Sequence, residues 1–272
     1  MPRSRRSCHA VPGSSERFLA KAASLDADEV FLDLEDAVAE SEKARARELV
    51  IGALGQDFGR ATVVVRVNGT DTPHYYRDLI DVVEQAGDRL HAIMLPKVRT
   101  PGDVEMTDKL LTGIERAHGL PAGAIGIEAQ IEDATGLLAC EAIAAASPRM
   151  ETLIFGPGDY SAAVGIPITT IGGTPDHYPG DHLNYVYSRL VVAARAVGIQ
   201  AIDGPYAAFD DDDGLRERAR LARALGMDGK WTIHPGQIAI VNEVFSPARE
   251  QWERAEAMLA AYDEAHRNGR GA

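Results

Sequence analysis

The sequence predicts an α/β chain folded as a (β/α)8 TIM barrel with an extra C-terminal helix. Three observations carry that prediction. Eight short runs of β character alternate with helix-length segments. The length, 272 residues, suits a barrel that closes as one domain at about 200 to 250 residues. The main rival, an open doubly wound sheet, would usually show a phosphate fingerprint. The chain has no G-x-G-x-x-G after its first strand and no G-x-x-x-x-G-K-[ST] anywhere; Gly156-Pro157-Gly158 lacks the third glycine of the former.

Taken in order, Ser7 to Val11 forms the first strand, stopped by Pro12-Gly13, and Ser14 caps the helix that carries Arg17 and Lys21. Glu29 to Leu34 is the second strand and runs into Glu35-Asp36, before a charged amphipathic helix from about Ser41 to Leu54. Thr62 to Val67 is β-branched apart from Arg66, as suits a strand covered on both faces. Asn68-Gly69 turns the chain into a helix over about Pro73 to Ala86, and Ala92 to Leu95 is strand four, with Pro96-Lys97 at its exit. A helix over about Asp103 to His118 leads to strand five, Ile125 to Ile131. Asp133 then caps an alanine-rich helix reaching about Ala146, and Thr152 to Phe155 is strand six.

The stretch Gly165 to Asp181 is rich in Gly, Pro and Thr and too long for a plain connector, which favours a functional loop or an interface. A helix over about His182 to Val197, strand seven at Gln200 to Asp203, a helix at Leu215 to Leu225 and strand eight at Lys230 to Ile233 follow. A short helix from Pro235 and a last one from Pro247 to about Arg267 complete the chain, which is read as one barrel domain over 1–272 with a helical extension from about 247.

Composition narrows the function classes. The hydrophobic fraction of 45% and charged fraction of 25% are those of an ordinary globular protein. A net charge of −13 argues against nucleic acid or an anionic membrane as a partner, so an anionic ligand would need a local basic pocket. Cys8 and Cys140 lack metal-ligand spacing, no uncharged apolar run reaches the roughly 18 residues of a membrane helix, and the basic start has no signal-peptide core. A reduced, cytoplasmic protein is expected.

Reactive side chains in a barrel sit at the C-terminal ends of the strands. The candidates there are Glu35, Asp36, Arg66, Lys97, Glu128, Asp159 and Asp203. Glu128 and Asp159 belong to neighbouring parallel strands, so they can converge at one end of the sheet and hold a hard divalent cation. The reading carries a condition: both carboxylates must reach one ion. Charge inside an apolar strand is costly unless paired or coordinated. Arg3, Arg5 and Arg6 read as a loose basic tail or a contact to an anionic ligand. The run Asp210 to Asp213 reads as a helix cap, His234 as a structural residue of the last loop, and His177 and His182 as surface histidines.

Seven motifs, in order and spread from about residue 7 to 265, resemble the citrate lyase beta-subunit and malyl-CoA lyase group of the HpcH/HpaI aldolase superfamily. They are Val11-Pro12-Gly13, Leu32-Asp33-Leu34-Glu35-Asp36-Ala37-Val38, Val65-Arg66-Val67-Asn68, Leu95-Pro96-Lys97, Ile127-Glu128, Phe155-Gly156-Pro157-Gly158-Asp159 and Ile233-His234-Pro235-Gly236-Gln237. The stretches Ile127 to Gly136 and Gln200 to Tyr206 look most like members that act on malyl-CoA-type thioesters. The resemblance implies a Mg2+-dependent (or Mn2+-dependent) barrel that makes or breaks a C–C bond beside a CoA thioester.

It places Glu128 and Asp159 on the metal-ligand positions and Arg66 on the arginine that binds the keto acid and the developing oxyanion. Glu35 and Asp36 match an acidic pair beside the metal, and Gly156, Pro157, Gly158 and Asp159 the cradle of the substrate carboxylate. Arg17 and Lys21, at i and i+4, are the candidate CoA phosphate contacts. No imine-forming lysine is required, although Lys97 is the one candidate. Homotrimers or homohexamers are implied, as is a lid segment with Gly-x-Met-(Ile/Val)-Asp after the last helix. Asn268-Gly269-Arg270-Gly271-Ala272 carries no such motif, so either the polypeptide continues past Ala272 into the lid or the lid aspartate is lacking. The expected activity is therefore cleavage of a malyl-CoA or methylmalyl-CoA type ester to an acyl-CoA and glyoxylate. A malyl-CoA thioesterase and a non-catalytic CoA- or acyl-carrier-binding subunit are the alternatives.

Overall fold

Eight parallel strands close into a barrel in sequence order: β1 Ser7–Pro12, β2 Glu29–Asp33, β3 Thr62–Arg66, β4 Ala92–Leu95, β5 Gly126–Ile131, β6 Met150–Phe155, β7 Gln200–Asp203 and β8 Gly229–Thr232. The structure, a computed structural model, describes residues 3–175, 178 and 180–269; His177 and the tail residues from Arg270 lie outside the described residues. Closure comes from β1 against β8, with Ser7 beside Lys230 and Cys8 beside Trp231. Arg5, just before β1, packs so tightly on β8 that a β-carbon at Gly229 would stand 1.7 Å from the Arg5 carbonyl oxygen. Only glycine lets the barrel shut there.

The helices around the barrel are α1 Glu16–Ala22, α2 Lys43–Ala53, α3 Tyr75–Ala86, α4 Pro101–Ala117, α5 Ala134–Leu138, α6 Cys140–Ala144, α7 Pro157–Val164, α8 Asn184–Val197, α9 Asp212–Ala224, α10 Pro235–Phe245 and α11 Arg249–Arg267. Strand alternation divides the apolar residues into two layers. Leu32, Val65, Ile93, Ile127 and Leu153 face outward onto Leu79, Val82 and Leu111 of the helices. Cys8, Phe31, Val64, Met94, Ile154, Ile202 and Trp231 fill the barrel itself. The interior is therefore a packed core with polar layers above and below it.

Local differences from the sequence reading have simple causes. Ser15, not Ser14, caps α1 by accepting from the Phe18 amide. The single helix expected over 133–146 breaks at Ala139 into α5 and α6; Asp133 still caps it, accepting from the Gly136 amide. Asp211 caps α9 and His234 caps α10. Asp203 points outward rather than into the site: its partner is Lys230, at 2.6 Å, between the barrel and α8. The basic start is not a loose tail: Arg3 pairs with Glu151 at the N-terminal end of the barrel. Arg6 grips Asp28 at 2.7 Å, and Arg5 is buried in the barrel floor. Among the described residues no helix is long and apolar enough to cross a membrane.

Candidate active site

The chemistry collects at the C-terminal mouth, in a cleft of about 340 Å3 lined by Asp33, Asp36, Arg66, Gln130, Glu132, Gly156 to Asp159 and Trp231, with Ala10, Ile171, Pro205 and Ile233 as its apolar wall. Arg66, the last residue of β3, forms its centre. Its Nε and Nη2 donate to the two oxygens of Asp33, each at 2.7 Å, a planar fork that lysine cannot copy. The guanidinium lies 5.2 Å from the Trp231 ring centroid and 5.8 Å from that of Phe31, so aromatic faces support it from the core side. Nη1 is left to face the cleft, 3.2 Å from Glu35 and 3.5 Å from the Gln130 carbonyl oxygen.

Asp33 also accepts the amides of Glu35 and Ala37, which fixes the loop that carries the acidic pair. Burial alone would raise its carboxyl, but the Arg66 charge and hydrogen bonds hold it below the usual range. Lys43 of α2 braces the same loop from beneath, donating to the Leu34 and Glu35 carbonyls. Glu35 is buried and pushed upward by that burial, against the pull of Arg66 and Lys97. Asp36 is more than half exposed.

The expected metal pair needs correcting. Glu128, Gln130 and Glu132 share the inward face of β5, spaced by two. At about 3.3 Å per residue, Glu128 lies some 13 Å back along the strand direction from Glu132, towards the barrel floor. There Arg5 Nη2 lies 2.9 Å from Glu128 Oε1 and Arg5 Nε donates to Glu29 at 2.6 Å. The condition set for Glu128 and Asp159 thus fails; Glu128 lies sealed beside the Arg5 guanidinium and Glu29 instead. The carboxylate that shares the mouth with Asp159 is Glu132. It sits just past the end of β5, in the same cleft, and accepts the Lys97 amide at 3.1 Å. Burial pushes its carboxyl up to about 8, with Glu35 and Asp159 adding to the rise and Arg66 opposing it. Gly156 makes room for it, since a β-carbon there would meet the Glu132 side chain at 2.5 Å.

Asp159 lies in the first turn of α7, which starts at Pro157 after Gly156. First-turn amides of a helix lack intrahelical partners and favour anions, as a carboxylate cradle at Gly156 to Asp159 requires. The long loop after α7 returns over this turn. Ile171 packs onto Gly158, and its carbonyl accepts the Ala207 amide at 3.0 Å. Arg17 and Lys21 lie exposed on α1, with the Arg17 guanidinium over the Phe18 ring.

Glu132, Asp33, Gln130 and Trp231 went unnoticed as site residues in the sequence. For Glu132 a signal was present: Gln130-Ile131-Glu132 puts a carboxylate at the strand's end, where Glu128 lies within it. Among the described residues no three His, Cys, Asp or Glu side chains form a ready-made metal cluster. Glu132 and Asp159 are nonetheless two carboxylates lining one cleft, a donor set that suits Mg2+, which keeps several waters and takes one or two protein carboxylates plus substrate oxygens.

Comparison with known proteins agrees with this geometry. Residues 6–235 match the family described as HpcH/HpaI aldolase/citrate lyase. The chain is 44% identical to the L-malyl-CoA/beta-methylmalyl-CoA lyase of Cereibacter sphaeroides over 96% of this chain and 85% of that one. It is 39% identical to a (3S)-malyl-CoA thioesterase of the same species, over 96% and 84%. Among solved structures, CitE from Mycobacterium tuberculosis in complex with magnesium, acetoacetate and coenzyme A superposes with a TM-score of 0.76 at 30% identity, over 96% of this chain and 88% of that one.

Proposed function

The chain belongs to the HpcH/HpaI aldolase/citrate lyase family of carbon–carbon lyases, and from that premise we propose that it cleaves a malyl-CoA or β-methylmalyl-CoA type thioester to a short acyl-CoA and glyoxylate, or runs the condensation. The observation that carries the reading is the mouth of the barrel, where a buried, fixed guanidinium faces two carboxylates and a helix start. In the cleavage direction the C2–C3 bond breaks. Its electron pair passes to the thioester α-carbon as an enolate, which then takes up a proton to give the acyl-CoA, while the C3 hydroxyl gives its proton to a carboxylate of the mouth and its carbon becomes the aldehyde of glyoxylate.

Arg66 suits the oxygen that gains charge. It stays protonated because Asp33 outweighs the cost of burying it, and its Nη1, outside the Asp33 fork and shared with Glu35 and the Gln130 side-chain oxygen, borders the cleft. A preorganised donor of this kind is worth about 3 to 4 kcal/mol of transition-state stabilisation. The first-turn amides of Gly158 and Asp159 would hold the glyoxylate-side carboxylate. Glu132 and Asp159 would hold Mg2+, with Mn2+ as a substitute, and Glu35 and Asp36 would bind its waters. When bound, the ion supplies Lewis-acid polarisation of the hydroxyl and carbonyl oxygens. Arg17 and Lys21 are the proposed cations for the CoA phosphates. A cytoplasmic homotrimer or homohexamer is the assembly proposed.

Purified protein with Mg2+, malyl-CoA and a phenylhydrazine trap for glyoxylate tests the reading. Glyoxylate above the level of an Asp159→Ala control is expected. The thioesterase relative supports a second reading, hydrolysis to malate and free CoA; malate released from malyl-CoA without trapped glyoxylate would establish that reading and overturn the first.

A further inference from the structure

Lys97 is the one residue other than glycine among the described residues with a left-handed backbone, at φ 54°. That conformation costs a residue with a β-carbon about 1 to 2 kcal/mol, and glycine or asparagine would fit it better. The backbone alone therefore does not call for lysine, and the side chain shows what does. The turn aims two donors of one residue at the same group of acids. The Lys97 amide donates to Glu132 Oε2 at 3.1 Å. Its Nζ stands 2.5 Å from Glu35 Oε1 and 3.4 Å from both Asp36 Oδ1 and Asp159 Oδ2. Lys97 thus touches both proposed metal ligands, one through the main chain and the other through its ammonium.

Charge explains why a cation is held there. Four carboxylates (Glu35, Asp36, Glu132 and Asp159) crowd the mouth, while the bidentate face of Arg66 is taken by Asp33. Like charges at such distances repel strongly in a partly desolvated cleft. We propose that the Lys97 ammonium is the resident counter-cation of this site: it gathers Glu35, Asp36 and Asp159 and competes with the divalent ion for Asp159, so that the charge at position 97 sets metal affinity. The inference rests on the assignment of Glu132 and Asp159 as metal ligands. It gives Lys97 a positioning role in place of imine formation, since an amine held among three carboxylates is a poor nucleophile while it stays protonated.

Mn2+ binding to the full-length wild type, Lys97→Met and Lys97→Arg, followed by the electron paramagnetic resonance of free Mn2+, tests this without any turnover. Lys97→Met should bind Mn2+ about tenfold tighter, the effect of removing one like charge a few ångströms away in a screened mouth. Lys97→Arg should stay within about twofold of wild type, because it keeps the charge. Should Lys97→Met not fold, Lys97→Asn removes the charge and fits the left-handed backbone, and it should tighten binding in the same way. Equal or weaker binding by the neutral variants, with wild type binding normally, overturns the role of Lys97 alone. No saturable Mn2+ binding by wild type overturns the metal assignment and this inference together.

Discussion

Replacing Glu128 by glutamine should stabilise the protein, and by more as the pH rises. The barrel floor holds Arg5 against Glu29, Glu128 and Glu151. Glu151 is also gripped by Arg3, so within the sealed interior one guanidinium faces two carboxyls, Glu29 and Glu128, both unexposed. Arg5 Nη2 is near Glu128 but not aligned to donate, and both Glu128 oxygens lack a hydrogen-bond partner, as does Glu29 Oε1. A pair of buried acids sharing a single cation keeps a proton. Burial first, and the neighbouring Glu29 second, push the Glu128 carboxyl well above the ordinary range, with Arg5 pulling the other way.

The sign follows from proton uptake. Below the pKa of an unfolded carboxylate, both states carry the proton and the floor costs nothing. Above it, the unfolded chain has lost the proton that folded Glu128 retains. Stability then falls by about 1.4 kcal/mol per pH unit until folded Glu128 ionises as well. Glutamine keeps the shape, leaves an oxygen for Arg5 and supplies an N–H toward Glu29, yet binds no proton. Urea denaturation of wild type and Glu128→Gln at pH 5, 6 and 7 should therefore give stabilities that diverge as the pH rises, the variant being the more stable. Parallel curves, or a uniform loss of stability in the variant, would show that Glu128 is ionised and that the proton assignment is wrong.

Other outcomes follow from the mouth. Glu132→Gln should abolish saturable Mn2+ binding while Glu128→Gln leaves it intact; the reverse, read by calorimetry, would restore Glu128 as the ligand. Arg66→Lys should lower kcat by about 100- to 1000-fold, since it loses the Asp33 fork and the aromatic support; a loss under about tenfold in the glyoxylate assay would remove Arg66 from the chemistry. Gly156→Ala should weaken Mn2+ binding by about tenfold or more by displacing Glu132 from its slot, and unchanged binding would mean that the slot can relax.

Much of this was open to reading because barrel strands leave strong local traces. The β-branched run before Arg66, the acidic pair after Leu34 and the glycine turn before Asp159 each mark a strand's exit, and the structure brings all three into one cleft. Arg5 was not legible. A basic residue near the start of a chain looks like every solvated tail, and only the closed barrel shows it reaching under four strands to Glu29, Glu128, Glu151 and Gln200. Asp203 failed for a related reason. Its place at the end of β7 was right, but its side chain takes the outward parity, towards Lys230.

The exchange of Glu132 for Glu128 has a geometric source that reaches beyond this chain. Period-two alternation tells which face a strand residue occupies, so Glu128, Gln130 and Glu132 are equivalent by pattern. What separates a catalytic residue from a structural one inside a barrel is height, and each step of two residues moves a side chain about 7 Å along the tilted strand. A strand end misplaced by a few residues therefore moves a carboxylate from the reactive mouth to the sealed floor, where the same group has the opposite role. At the mouth, the cleft that Glu132 lines leaves room for an ion and its waters. In the floor the guanidinium of Arg5 already fills that role, and what Glu128 can still acquire there is a proton. Two acids four residues apart, one in β5 and one just past its end, are thus sorted by what can reach them.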